Sequence, residues 1–295
     1  MNSSSSLSHS LVVSVVSHGH GPLVQALLNE LAGLSAATVR RVVLTQNLPE
    51  AEPEAPPTGW PFVLQVVKNR VPAGFGVNHN RALASAKEPF VCVLNPDIGL
   101  GAQDPFAALA QAAAQPGAGC AYPVQLDTQG RLQDSERELP TPRALWRRRL
   151  LGRCDTRVDW VNAACLVLPQ PVWQKLGGFD EAYYMYCEDV DLCLRVRLAG
   201  WTLVRVPAQV VHAGQRASHR RWSHLQWHVR SLWRLWRSPV YGRARLLLRG
   251  EAAGTDTIEA LKRRLLELEK SMAAARENNR AEAVTLSSVH GVKGL

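Results

Sequence analysis

The sequence predicts an α/β protein with a mostly parallel central sheet that is covered by helices on both faces. Three observations lead to this fold class. Short β-branched apolar runs alternate with stretches of helical period along the N-terminal part of the chain. Polar residues stand at the carboxyl ends of these runs, where such sheets bind ligands. Apolar residues make up 46% of the 295 residues, which is enough for a sizeable core.

The N-terminal elements are predicted in the order strand, helix, strand, strand, helix, strand. "LVVSVVS" (11–17) is the first strand, and "PLVQALLNELAGL" after it has apolar residues at helical spacing with Pro22 near its start. "RRVVLTQN" (40–47) and "FVLQVVKN" (62–69) are the second and third strands. "GFGVNHNRALASAK" begins with glycines and becomes helical, and "PFVCVLNPD" (89–97) is the fourth strand. This alternation is typical of parallel sheets.

The second half has a less regular pattern. "DTQGR" (127–131) predicts a turn between two short strands, and "PRALWRRRLLGR" (142–153) a loop or short helix. "VDWVNAACLVLP" (158–169) predicts one strong strand. A helix over "PVWQKLGG" should end at its glycine pair, and another should begin near Glu188. "GWTLVRVPAQVVHAG" predicts two last short strands.

Composition excludes several classes of protein. No run of about 18 apolar residues occurs, so we expect no membrane-spanning helix. Residues 1–10 lack a basic n-region and predict a disordered leader, not a signal peptide. The absence of any C-x-x-C pair argues against a zinc site or a disulfide framework and favours a reduced, cytoplasmic protein. The six cysteines are Cys92, Cys120, Cys154, Cys165, Cys187 and Cys193.

The net charge of +9 is concentrated in one segment. Residues 216–249 contain nine arginines and no acid, which leaves 34 − 9 = 25 basic residues against 25 acidic ones elsewhere. Within it, Trp and Leu recur at helical spacing over 218–237. Three interpretations remain open: a helix packed on the domain, an interfacial helix on an anionic membrane surface, and nucleic-acid binding, which is the least favoured.

Asp97 is a candidate metal ligand. It follows the buried run "VCVLNP", so its carboxylate should stand at the ligand-binding edge of the sheet, where it suits a divalent cation. No Walker A motif and no G-x-G-x-x-G after the first strand is present, which leaves a metal-bridged diphosphate as the simple option. His212, after the strand-like "AQVV", is a second candidate ligand.

Three acids interrupt the apolar stretch "YYMYCEDVDLCLRVRLAGW" (183–201). Helix-dipole interactions and an Asp191–Arg195 pair are each worth only about 0.3–1 kcal/mol, too little to explain such a cluster. A buried carboxylate has a raised pKa and can act as a general base. Glu188 and Asp189 are therefore the candidate catalytic bases, with the choice between them open. Asp191 belongs to the same cluster, with a supporting role.

The order of these motifs resembles the family 2 inverting glycosyltransferases of the GT-A fold, most of all their rhamnosyltransferase-type branch. The resemblance covers about residues 11–237, and "LNPD" together with "GGFDEAYYMYCEDVDLCLR" is its most specific part. It implies that Asp97 holds Mg²⁺ or Mn²⁺ on a nucleotide diphosphate, that His212 completes the metal shell, and that the "ED" element supplies the base.

The resemblance also implies a nucleotide-sugar site and its partners. The donor would be a dTDP- or UDP-type sugar, and the acceptor a saccharide or lipid-linked saccharide in cell-surface polysaccharide synthesis. Two strand ends depart from the family pattern: "QNLP" (46–49) lacks the usual Asp-Asn, and "SHG" (17–19) replaces a Thr/Ser-Tyr-Asn triplet. By motif or by strand end, the candidate binding residues are Ser17, Asn47, Asn69, Gly74, Phe75, Asn78, Asn80, Asn95 and Asp97.

The C-terminal part predicts two appendages to a catalytic domain over 11–215. The first is the basic helical region 216–250, and the second a helical appendage over 251–295 with a short heptad seam at 255–282. "AEAVTLSSVHGVKGL" resembles a motif of UvrD-type superfamily 1 helicases, without a Walker A sequence. A helicase-related or DNA-binding protein, or an inactive nucleotide-sugar-binding protein, are the alternative functions.

Overall fold

The computed structural model describes residues 9–151, 157–214 and 222–251 of the chain. Helices and strands alternate over the first hundred or so of these residues, as the sequence predicts. The strands are β1 (Leu11–Ser17), β2 (Val39–Gln46), β3 (Val63–Lys68), β4 (Phe90–Leu94), β5 (Ile98–Gly99), β6 (Ala118–Leu126), β7 (Glu136–Arg137), β8 (Trp160–Val161), β9 (Cys165–Pro169) and β10 (Thr202–His212). The helices are α1 (Gly21–Leu34), α2 (Phe75–Leu83), α3 (Phe106–Ala113), α4 (Pro142–Leu151), α5 (Gln170–Leu176), α6 (Glu188–Leu198), α7 (Trp222–Arg237) and α8 (239–251).

Eight of these strands form one mixed sheet in the order β3-β2-β1-β4-β9-β6-β10-β5. Four of its seven neighbouring pairs are parallel: β3–β2, β2–β1, β1–β4 and β6–β10. β9 lies antiparallel between β4 and β6, and β5 is an antiparallel edge strand on β10. The predicted α/β class with a mostly parallel sheet is confirmed.

The core lies on both faces of the central strands. β4 is buried along its whole length and β1 almost so, which explains why both are continuous apolar runs without alternation. α1 covers one face with Val24, Leu27, Leu28 and Leu31, at the spacing of three and four that the sequence shows. Full burial of each such side chain contributes about 1.5–3 kcal/mol to folding.

Three predicted strand boundaries are wrong. The fourth strand ends at Leu94, so Asp97 lies in the turn before β5. The predicted strand 158–169 is broken into β8 and β9 by a turn in which Asn162 Oδ1 accepts the N–H of Ala164 at 3.4 Å. The two predicted last strands are one strand, β10, whose register shifts near Pro207 because proline cannot donate to the ladder.

The chain divides into two compact units, residues 1–245 and 246–295, and the structure describes only 246–251 of the second. The leader (apart from His9 and Ser10), Cys154, the heptad seam at 255–282 and the helicase-like end lie outside the described residues. So do Arg216, Arg220 and Arg221 of the basic segment. Among the helices that are described, none combines the length and the apolar character needed to cross a bilayer.

Candidate active site

The carboxyl ends of four parallel strands bring polar residues to one edge of the sheet. Asn47 follows β2, Asn69 follows β3 and Asn95 follows β4, as predicted. Ser17 ends β1 and is fully buried, and its Oγ accepts the backbone N–H of His20 at 3.1 Å. Ligands of such sheets bind at this edge, so these residues frame the candidate donor site.

Three of the predicted donor-side amides form a hydrogen-bonded cluster. The side-chain Nδ2 of Asn69 lies 2.8 Å from both Asn47 Oδ1 and Asn78 Oδ1. Asn47 Oδ1 also accepts the N–H of Ala73 at 2.8 Å, and Asn78 Nδ2 lies 3.2 Å from the Ala73 carbonyl. The cluster thus ties the loop before α2 to the sheet. In this structure the amides hold that loop, and their contact with a nucleotide stays a prediction.

The start of α2 packs directly against the segment that follows the "GG" of "GGFDE". A Cβ added at Gly74 would lie 2.6 Å from the Tyr184 carbonyl oxygen, which also accepts the N–H of Phe75 at 3.0 Å. Asn80 accepts the N–H of Phe179 at 2.8 Å and donates to its carbonyl at 2.9 Å. Gly74 and Asn80 therefore join the two motifs that sequence reasoning recognised separately.

Asp97 and His212 meet at the edge strand. Their side chains are 3.4 Å apart between Oδ2 and Nε2, and each is 16% exposed. Antiparallel pairing of β5 with β10 places His212 opposite Ile98, and the N–H of Ala213 donates to the Asp97 carbonyl at 3.0 Å. His212 Nδ1 lies 3.1 Å from Gln133 Oε1, which orients the imidazole with Nε2 toward the carboxylate.

This pair fits a divalent cation that is shared with a substrate. Asp97 offers carboxylate oxygens and His212 an imidazole nitrogen, both of which ligate Mn²⁺ and related ions. Within the described residues no group of three or more acidic, histidine or cysteine side chains could hold a metal. A cation here would take its remaining ligands from diphosphate oxygens and water, as Mg²⁺ commonly does.

α6 begins from a strained turn. Tyr186 and Cys187 have φ angles of +72° and +67°, and no other non-glycine residues among those described have a positive φ. Two consecutive residues in this left-handed region cost of order 1–3 kcal/mol each, and such strain occurs mainly at functional sites. The turn fixes where the first residue of the helix, Glu188, points.

Glu188 is a buried acid with an unpaired oxygen. The residue is 6% exposed, and its Oε2 has no hydrogen-bond partner in the described part of the protein. Burial, followed by repulsion from Asp189, raises the pKa of Glu188 from 4.5 to about 8. Burial also raises the pKa of Asp189, against the lowering effect of the Val190 N–H and the Arg137 guanidinium. A raised pKa makes each carboxylate a stronger base, which is the property that a general base needs.

The Asp191 carboxylate has a charged partner, in contrast to the unpaired oxygen of Glu188. The Nε of Arg195 lies 2.6 Å from Asp191 Oδ2, which is the i, i+4 pair expected from the sequence. Arg195 also donates through Nη1 to the Leu176 carbonyl at 2.7 Å. Asp191 therefore holds the arginine that joins α6 to the end of α5, which agrees with a supporting role.

α7 packs against the strained turn. The Tyr186 hydroxyl and His224 Nδ1 are 2.8 Å apart, and the Tyr186 ring stacks on His228 with centroids 3.8 Å apart. Ser231 donates to the Met185 carbonyl at 2.8 Å, and Trp236 Nε1 donates to the Pro140 carbonyl at 2.7 Å. α7 therefore packs on the domain, which was one of the three interpretations of the basic segment. It also supports the turn that carries the acids.

A curated relative decides the family. The chain is 31% identical over 302 residues to an N-acetylglucosaminyl-diphospho-decaprenol L-rhamnosyltransferase from Mycobacterium tuberculosis, with 88% of this chain and 97% of the relative covered. No family model matches the chain. It belongs to the rhamnosyltransferase-like glycosyltransferases of family 2. The rhamnosyltransferase WbbL of Escherichia coli is 32% identical over 184 residues, which cover 55% of this chain and 69% of that protein.

A solved structure shows the same fold as this glycosyltransferase. The mannosyltransferase PcManGT from Pyrobaculum calidifontis, in complex with GDP-Man and Mn²⁺, superposes with a TM-score of 0.52 at 18% identity. The match covers 85% of this chain and 79% of that one. The GT-A fold predicted from the motifs is confirmed, and the protein is an enzyme that transfers sugars.

Sequence reasoning missed three side chains at the candidate active site. Tyr186 and His224 hold the strained turn, and the aromatic run before the acids together with the histidines of 218–228 was the available signal. Arg137, which acts on Asp189, carries no motif. It reaches the acids because β7 pairs with β8 beside α6, a contact that no local pattern encodes.

Proposed function

We propose that this glycosyltransferase moves a rhamnose-type or other hexose from a dTDP- or UDP-type donor to a lipid-linked saccharide, with inversion and with a divalent cation. Its place would be the synthesis of cell-surface polysaccharide. One observation carries the proposal: the strained turn at the start of α6 presents a buried, partly unpaired carboxylate, Glu188, as a base. The Mycobacterium tuberculosis relative, whose name specifies a diphospho-decaprenol acceptor, supports the acceptor class.

The proposed reaction is a single displacement. Glu188 or Asp189 takes the proton of the acceptor hydroxyl, and the acceptor oxygen bonds to the anomeric carbon. The bond from that carbon to the diphosphate oxygen breaks, and the electron pair leaves with the nucleoside diphosphate. Attack opposite the leaving group inverts the anomeric centre. Asp97 and His212 would hold Mg²⁺ or Mn²⁺, which as a Lewis acid stabilises charge on the departing diphosphate.

The outer face of α7 supports a site of action on an anionic membrane surface. Leu225, Val229 and Trp233 recur every four residues and are 56%, 61% and 59% exposed. Arg230, also exposed, lies among them. Apolar side chains beside cations are typical of interfacial helices, and each arginine near an anionic surface contributes about 1 kcal/mol. The enzyme would act in the cytoplasm, peripherally on the membrane that carries its acceptor.

The proposal is tested by a screen of nucleotide sugars with a lipid-linked saccharide acceptor. We expect release of nucleoside diphosphate that depends on the lipid-linked acceptor and on divalent cation, and a product with the inverted anomeric configuration by NMR. Equal release with free saccharides, a retained configuration, or full turnover in chelator would each contradict a named part of the proposal.

Asp97→Asn tests the metal pair. We expect this nearly isosteric change to remove most of the turnover and the metal-dependent part of donor binding, because a neutral amide is a poorer ligand for a cation. The free energy of unfolding should change little. Glu88→Gln is the matched control. Glu88 pairs with Arg41 and lies before the amino end of β4, whereas Asp97 lies after the carboxyl end of that strand. Unchanged turnover and metal dependence in Asp97→Asn would remove Asp97 from the metal site.

A further inference from the structure

We infer that a cleft between α7 and the segment around Asp180 binds the diphosphate and the first isoprenoid units of a lipid-linked acceptor. This inference rests on the proposed function and assigns a site to its acceptor. The cleft has a volume of about 850 Å³. Its charged and aromatic lining includes Asp180, Trp227, Arg230, Trp233, Arg234 and Arg237.

The charge of the cleft suits a diphosphate. Three arginines face two carboxylates, and one of these, Asp191, is already paired with Arg195 at 2.6 Å. The other, Asp180, lies 3.5 Å from Arg234. Among the described residues, Arg230 and Arg237 of the wall have no carboxylate partner. Two guanidinium groups on one wall provide the paired N–H donors that phosphate oxygens accept best.

The cleft also offers apolar surface next to this charge. Trp227 packs on Tyr184 with ring centroids 5.1 Å apart, and Trp233 lies under the Arg237 guanidinium at 5.6 Å. Both tryptophans line the cleft, and Trp233 is 59% exposed. Flat aromatic walls beside arginines suit a ligand with a charged head and a hydrocarbon tail.

The cleft is placed for an acceptor by its contact with α6. Asp191 lies on the cleft wall, one turn of α6 after Glu188, which is a rise of about 4.5 Å along the helix. In an acceptor of the class named by the relative, one sugar ring separates the diphosphate from the attacking hydroxyl. A diphosphate in the cleft would thus leave its sugar within reach of the candidate bases. The cleft shares no residue with the donor-side set around Asp97.

The test is calorimetric titration of the whole protein with farnesyl diphosphate, below its micellar concentration and in chelator. Chelator keeps the probe from the metal-dependent donor site, and the Asp97→Asn variant should bind the probe unchanged. We expect Arg230→Gln and Arg237→Gln each to weaken binding by about tenfold or more, the value of a charge-assisted hydrogen bond. Farnesol and inorganic pyrophosphate should each bind much more weakly.

Arg243→Gln and Arg245→Gln are matched controls, because both arginines are exposed on the same basic stretch and neither lines the cleft. Equal losses in all four variants would show a general charge effect and overturn the inference. So would binding to phosphatidylglycerol vesicles with none to monomeric farnesyl diphosphate, which would assign the arginines to a lipid surface. Because the titration needs no turnover, its result is independent of whether the proposed transfer reaction is found.

Discussion

The candidate donor edge of the sheet, at the carboxyl ends of its parallel strands, and the first turn of α6 both bury polar groups. The two regions differ in whether these groups have hydrogen-bond partners. At the donor edge, Asn47, Asn69 and Asn78 hydrogen-bond to one another and to the loop they hold. At α6, Glu188 is buried beside a second acid, after two strained residues, with one oxygen unpaired. Paired polar groups stabilise a fold, whereas an unpaired buried charge costs stability and persists where it serves chemistry. The contrast separates positioning residues from candidate reacting ones.

The largest effect should come from the acids themselves. Glu188→Gln or Asp189→Asn should lower turnover by about 10²- to 10⁴-fold, the usual contribution of a general base, with donor binding largely kept. The variant with the larger loss identifies the base. Steady-state rates at saturating donor and acceptor measure this. If both amide variants kept near-normal rates, the interpretation that the first turn of α6 supplies the catalytic base would be wrong.

Glu188 should also make stability and activity depend on pH in opposite directions. Its pKa is about 8 in the folded protein against an ordinary 4.5, so the folded state binds the extra proton between these values. The free energy of unfolding should therefore fall as pH rises from about 4.5 to about 8, while turnover rises as the base ionises. Denaturant unfolding of the native protein and of Glu188→Gln across this range is the check. The variant should lack this decline in the free energy of unfolding. If the two proteins showed the same dependence of that free energy on pH, the raised pKa of Glu188 would be contradicted.

Asp191→Asn should show the reverse of Glu188→Gln. It leaves the guanidinium of Arg195 without its carboxylate, so we expect about 2–3 kcal/mol lower stability and turnover within a few-fold of normal. Adding Arg195→Gln should cost less than the sum of the two single changes, because the pair is then removed together. A large loss of turnover with unchanged stability would instead place Asp191 among the catalytic acids.

A smaller effect is expected at the donor edge. Asn69→Ala removes the donor that satisfies the Asn78 Oδ1, and Asn78 is only 1% exposed. An unsatisfied buried acceptor costs about 1–3 kcal/mol, and the freed loop should raise KM for the donor more than it lowers kcat. Gln65→Ala, at an exposed position on β3, is the control. Equal loss of kcat and gain in KM would argue against a purely positioning role for the amides.

The smallest effect should follow removal of residues 251–295. The motif resemblance covers about residues 11–237, and the residues of the candidate active site and of the acceptor cleft all lie before residue 241. Turnover and melting temperature should be nearly unchanged in the shortened protein. A marked loss of activity or solubility would make this segment part of the enzyme, and the interpretation of its end as a helicase-like fragment would be withdrawn.

The sequence by itself determined the features that local patterns encode. β-branched runs and helical periods predicted the α/β class, and polar residues after buried runs located Asn47, Asn69 and Asp97 at one edge. Acids in an apolar stretch marked Glu188 and Asp189. The pair of Asp191 with Arg195 followed from a spacing of four in a helix. Each of these depends on residues within one or two turns or one strand end, where sequence distance and spatial distance agree.

Only the tertiary structure decided which distant residues meet. The family resemblance implied that His212 and Asp97 meet, and the structure supplies the cause, since β5 turns back to pair antiparallel with β10. Tyr186 meets His224 because α7 packs on the turn before α6, which no motif indicated. The raised pKa of Glu188 likewise has a tertiary cause, because it comes mainly from burial of the side chain away from water. Strand order and helix docking are set by the sum of many weak packing contacts along the whole chain, and no local period records them.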